Sequence, residues 1–143
     1  MEKITDMVEL KNRLLEMLER GIEVDNGEYR KMDFLDYYEL TDINPKNIYQ
    51  EISSCVSLTP HERQVLVTFA KRSSSLGANL SKEQLENLVK NEKLVIKGQV
   101  ITDEIKQEAI RYLEENNLPF RYIVYQTYIR RVANQMAEEM KRD

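Results

Sequence analysis

The sequence predicts an all-α fold: one compact multi-helix domain with helix-turn-helix-like units and at most one or two small β-hairpins. Three observations predict it. Four glycines and three prolines in 143 residues leave little turn material for a β-rich chain. Several segments open with side-chain caps suited to helices, and apolar residues recur at helical spacing over most of the length. At roughly 100–200 residues per domain, 1–143 reads as a single helical domain, open to subdivision near 56–60, into 1–57 and 58–143, or near 90–100.

The first segment runs from Ile4 to Arg20, with Ile4, Val8, Leu14, Leu15 and Leu18 at near-helical spacing and Gly21 as its stop. Asn26-Gly27, inside Ile22–Met32, suits a tight hairpin turn. Asp33 opens a short apolar pattern through Phe34, Leu35 and Tyr38 that breaks near Thr41-Asp42. Asn44-Pro45 pairs a cap with a proline at the first helical position, and Ile48 and Ile52 mark the buried face that follows. Thr59-Pro60-His61-Glu62 is a proline-containing capping box leading into Val65, Leu66 and Phe69, and the helix is expected to run out at Ser73-Ser74-Ser75 and Gly77. Ser81 with Gln84 opens a helix through Leu85, Leu88 and Val89. Lys97-Gly98 is placed to turn a hairpin between Leu94-Val95-Ile96 and Val100-Ile101. Asp103 is expected to cap the next helix, which ends at Asn116-Asn117. After Pro119 a final helix runs from about Phe120 toward the C-terminus. At an offset of 75 residues, Leu35, Tyr38, Ile43 and Ile48 are echoed by Ile110, Leu113, Leu118 and Ile123, each set reading as helix, proline-containing break, helix.

Composition excludes several classes. The lone Cys55 cannot form a disulfide within the chain, no apolar run reaches the ~18 residues of a membrane span, and the amphipathic acidic start lacks the form of a signal peptide. The expectation is a soluble cytoplasmic protein with no membrane association. Residues 1–60 hold seven Lys/Arg against thirteen Asp/Glu, a net of −6, whereas 61–143 hold fourteen against twelve, a net of +2. A general nucleic-acid coat would be strongly basic, so only a local basic face is allowed.

The last helix carries the most information. On a 100° wheel Tyr122, Tyr125, Ile129, Val132, Met136 and Met140 form an apolar seam, with Thr127, Arg130, Arg131 and Asn134 opposite, and no acid between Glu115 and Glu138. Arg and Asn match guanine and adenine edges in the major groove, and Thr can touch phosphate or a thymine methyl. The expected DNA-binding set is therefore Thr127, Arg130, Arg131 and Asn134, with Arg121 and Lys106 holding phosphates and the 93–101 hairpin as a wing. Phe120, Ile123 and Val124 lie toward the polar side and must be covered by another element. The long seam also predicts a homodimer, which would suit a palindromic site.

The stretch LTPHERQVL, Leu58 to Leu66, resembles the opening of the DNA-binding domain of LuxR-type response regulators and of the fourth region of sigma factors. The resemblance covers nine residues. It implies the first helix of a helix-turn-helix unit, although the usual glycine turn and recognition-helix start are missing downstream. The Lys, Glu, Ile, Asn and Tyr usage is similar to that of small regulators from low-GC bacteria and their phages.

Enzyme readings find little. His61 is the only histidine and sits in the first turn of a helix, so HERQV lacks the second histidine of a zincin. Cys55 has no histidine nearby and reads as a small packing residue. Glu104-Ile105-Lys106 matches a nuclease fragment but opens a helix rather than lying on a strand. No catalytic residue, metal or cofactor is expected. The leading expectation is a non-enzymatic, sequence-specific binder of double-stranded DNA, a transcriptional regulator of bacterial or phage type. The competing expectation is a helical protein-interaction module or inhibitor. It would reach a protein partner through an acidic, tyrosine-bearing surface made of Tyr37, Tyr49, Asp36 and Asp42.

Overall fold

The structure, a computed structural model, describes residues 2–75 and 78–141. Its fold is mainly helical: among the described residues there are seven helices and two small antiparallel two-stranded sheets. The chain forms two compact units, Met1–Ser75 and Leu76–Asp143. The helix opening at Pro60 thus belongs to the first unit, because it packs on the helices before it.

In the first unit, α1 (Met7–Arg20) is capped by the Asp6 carboxylate, which accepts from Val8 N–H at 2.8 Å. Ile4 lies ahead of the helix, where its N–H bonds Leu40 O at 2.9 Å. Gly21 ends α1 at φ +89°, and a Cβ there would stand 2.5 Å from Arg30 O, so the chain turns into its hairpin only through glycine. The strands β1 (Ile22–Asp25) and β2 (Glu28–Arg30) pair antiparallel around Asn26-Gly27. Asp33 and Asp36 form a reciprocal capping box on α2 (Phe34–Leu40). Asn44 and Pro45 start α3 (Pro45–Ser54), and Thr59 with Glu62 caps α4 (Pro60–Ser75). The Arg63 guanidinium donates to Ile52 O and Cys55 O, satisfying carbonyls at the end of α3 that the helix itself cannot. Leu10, Leu14, Leu35, Ile48, Ile52 and Leu66 form the core, with Phe34 stacked on Phe69 at 5.2 Å between centroids. The expected stop at Gly77 lies outside the described residues.

In the second unit, Ser81 and Gln84 cap α5 (Lys82–Val89). Lys97 (φ +51°) and Gly98 (φ +79°) turn the hairpin of β3 (Val95–Ile96) and β4 (Gln99–Val100), the pair of positive angles that a two-residue turn between twisted strands requires. Thr102, rather than Asp103, caps α6 (Asp103–Glu115): its Oγ1 accepts from Ile105 N–H at 3.3 Å, and Asp103 becomes the first helical residue. Past Asn117 and Pro119 the chain enters α7 (Tyr122–Lys141). Leu85, Val89, Ile110, Leu113, Val124, Tyr125 and Ile129 form this core, and the Lys82–Glu114 pair at 2.6 Å ties α5 to α6. The order helix, hairpin, helix, proline break, helix therefore occurs in both units, with α4 added to the first.

Candidate interaction surfaces

The residues expected to read DNA do not share one exposed face. Thr127 is buried, its hydroxyl donating to Ile123 O at 2.7 Å within the same helix. Arg121 is buried at the helix entrance. Lys106 is buried too: its ammonium donates to Glu92 O and stands 3.7 Å from Asp103 Oδ1, so it is not presented to a phosphate. Arg131 is half-buried and already engaged. Only Arg130 and Asn134, one turn apart, are exposed.

The physical reason lies in the first half of α7. Ile123, Val124, Tyr125, Thr127 and Ile129 point in nearly every direction around the helix, and all are buried. The Tyr128 ring stacks on Tyr112 of α6 at 4.6 Å. The Tyr122 hydroxyl donates to Glu92 Oε1; burial, and then the Glu92 carboxylate, push this phenol up to about 12. Burial raises Tyr125 as well, with Glu92 acting in the same direction. Only the second half of α7 is one-sided. Much of the seam offered for a dimer is consumed at home: Tyr125 and Ile129 are fully buried, and Met140 alone is strongly exposed.

The acidic tyrosine face expected on α2 and α3 is not assembled either. Tyr37 is fully buried, edge-on to Tyr38 and in contact with Phe69, and its hydroxyl donates to Ile43 O. Burial, and then Tyr38, raises this phenol. Asp36 is buried and accepts two bonds from Arg30, at 2.8 and 2.6 Å, as well as the Asp33 N–H. Asp42 is exposed but paired with Lys3 at 2.9 Å. Of the four, only Tyr49 is an exposed tyrosine.

The structure instead turns apolar side chains outward on both hairpins. On β1–β2, Val24 is 56% exposed and Tyr29 is 38% exposed. The Arg20 guanidinium lies 5.0 Å above the Tyr29 ring. Around them stand Glu23, Asp25 and Glu28, all exposed. Glu23 and Asp25 also accept backbone N–H groups of the turn, at Gly27 and Asn26, which holds their carboxylates at the hairpin tip. A cleft of about 300 Å³ separates this hairpin from the end of α1, lined by Arg13, Glu16, Met17 and Tyr29 among others. On β3–β4, Val95 and Val100 are cross-strand partners, 67% and 64% exposed, while Ile96 and Gln99 are half-buried. The Gln99 amide meets Met140 Sδ, which brings the exposed end of α7 to the same hairpin.

Sequence reasoning passed over these surfaces because each strand is only two to four residues long. The alternation that assigns a face needs more positions than that. Among the described residues no three or more His, Cys, Asp or Glu side chains are grouped to hold a metal ion, and no helix is long and apolar enough to cross a membrane. No protein-family model, curated protein or solved structure matches the chain.

Proposed function

We propose that this chain is a non-enzymatic protein-interaction module whose working surface is the tip of the β1–β2 hairpin. The observation that carries the reading is the exposure of Tyr29 and Val24 among Glu23, Asp25 and Glu28. Tyrosine brings a large, rigid contact area with few rotamers to freeze, so it anchors interfaces well. The carboxylates select a basic partner and steer its approach. This keeps the acidic, tyrosine-bearing character expected from the sequence and moves it from Tyr37 to Tyr29. A cytoplasmic site of action is part of the proposal, since Cys55 is the single cysteine.

A second reading, a DNA-binding regulator, keeps support from Arg130 and Asn134, exposed one turn apart on α7. It is the weaker reading, because recognition helices contact bases through their N-terminal residues and that half of α7 is buried.

One set of titrations separates the two. A short cationic peptide of alternating lysine and valine should bind the chain, and Tyr29→Ala should weaken it at least about fivefold, roughly 1 kcal/mol. A pool of random duplex DNA should not shift the chain in a gel at low salt. Peptide binding indifferent to Tyr29→Ala would overturn the first reading. A shift with duplex that disappears in Arg130→Ala and Asn134→Ala would establish the second.

A further inference from the structure

We propose that the partner of the β1–β2 hairpin is the β3–β4 hairpin of a second copy of this chain, so that copies associate head to tail. The inference rests on the reading of β1–β2 as a protein-binding surface and names its occupant. Each hairpin exposes apolar side chains: Val24, at the irregularity of β1, and Tyr29, opposite Glu23, on one, and the cross-strand partners Val95 and Val100 on the other. The two tips are opposite in charge. From Ile22 to Glu28 the chain holds Glu23, Asp25 and Glu28 and no cation; from Lys93 to Val100 it holds Lys93 and Lys97 and no acid. Exposed Lys90 precedes the second hairpin, and exposed Lys141 follows Met140, which Gln99 of β4 holds against it. Among the described residues, no ion pair of 4 Å or less that the structure gives engages these four lysines.

The exposed Val24 and Tyr29 would meet the Val95–Val100 pair, and carboxylates would meet ammoniums at the rim, where solvent access lets both stay partly hydrated. Like hairpins would set like charges face to face, so the acidic tip rejects a second acidic tip and the basic one a second basic one. A single such contact is heterologous: every copy offers one surface of each kind, so the association closes into a ring or runs on as an open chain, and becomes an isologous two-fold dimer only where both contacts form at once between the same two copies. Each hairpin is small, so one contact falls at the low end of interface sizes and the association is weak and salt-sensitive.

Sedimentation of the full chain over a range from about 1 to about 300 μM tests this, in low salt and again with added salt near 0.5 M. The parent should show a mass rising with concentration at low salt and returning toward the monomer at high salt. Lys93→Glu/Lys97→Glu and Glu23→Lys/Glu28→Lys should each associate at least about tenfold more weakly. An equimolar mixture of these two variants should associate again, because each restores the complement that the other lost. Val95→Ser/Val100→Ser, at positions already exposed, should be monomeric with an unchanged melting temperature. A parent that stays monomeric throughout overturns the inference, as does self-association that ignores both charge reversals. In the first case, a lysine–valine peptide that still binds through Tyr29 shows the protein-binding reading intact and only the partner wrong; absence of that binding overturns both.

Discussion

Gly21 shows how a single residue can decide local geometry. It occupies a region of backbone space that side chains disfavour, and a methyl group there would collide with the Arg30 carbonyl at 2.5 Å. That oxygen belongs to the backbone of β2 and cannot swing aside as a side-chain end would. Gly21→Ala should therefore cost at least roughly 1–3 kcal/mol of stability, read as a lower urea midpoint. The same change at Gly27 meets nothing within 4 Å and bears only the strain of φ +80°, so it should cost less than Gly21→Ala. Equal losses at the two positions would refute the assigned collision. At this scale the sequence reading succeeded with the Gly21 stop and the caps at Asn44, Thr59 and Ser81, which depend on near neighbours, and missed the cap of α6, which is Thr102 and not Asp103, and the burial of Thr127, Lys106, Arg121, Tyr37 and Asp36. Thr127, Lys106, Tyr37 and Asp36 bond Ile123 O, Glu92 O, Ile43 O and Arg30 within their own units, and nothing in residue type announces that.

α7 shows where helical periodicity loses its meaning. A wheel drawn over Tyr122–Lys141 assigns one wet face and one dry face, yet no position from Tyr122 to Ile129 is exposed and only the second half obeys the wheel. The clue was present, since Ile123 and Val124 fall on the supposedly polar side, but the element covering them could not be named from sequence. The caps of α2, α3, α4 and α5 were legible because each uses residues within about three positions of one another. The outward valines were not, because a two-residue strand has no period to read. The tyrosines on α7 make a further prediction. Tyr122 is held at about 12, and Tyr125 and Tyr128 also lie above the ordinary phenol value, burial being the first cause in each. A pKa raised by folding means that the fold favours the neutral phenol. The stabilisation is fully present below pH of about 10 and is lost as pH rises through the folded value near 12. The melting temperature should hold up to about pH 9.5 and fall above it, with phenolate absorbance lagging behind that of the unfolded chain. Phenols that all titrate near 10 in the folded protein would contradict the burial of this group.

For the whole molecule, the governing fact is that each unit carries its own core. Leu10, Leu14, Leu35, Ile48, Ile52 and Leu66 are fully buried in one, and Leu85, Val89, Ile110, Leu113, Val124 and Ile129 in the other. The helical class followed from composition, since few glycines and prolines and many caps suffice to exclude a β-rich chain. The division at residue 75 did not, because Thr59-Pro60 has the same local chemistry whether it opens a new unit or the last helix of an old one. What places α4 in the first unit is packing on α3 and α1, including the Arg63 guanidinium on the carbonyls of Ile52 and Cys55. Units of 75 and 68 residues are near the lower size at which one core outweighs chain entropy, and many domains of about 60 residues do fold alone. Neither unit leans on a cross-link, as Cys55 is the single cysteine, and among the described residues no metal-holding cluster occurs. Fragments 1–75 and 76–143 should therefore each give a helical circular dichroism spectrum and a cooperative melt, with modest stability and no response to chelator or reductant. The hairpin belongs to each unit's own packing, through Gly21 against Arg30 in one and Gln99 against Met140 in the other. Each isolated fragment should accordingly keep its own tip intact. A coil-like spectrum from either fragment would show that its core is insufficient alone.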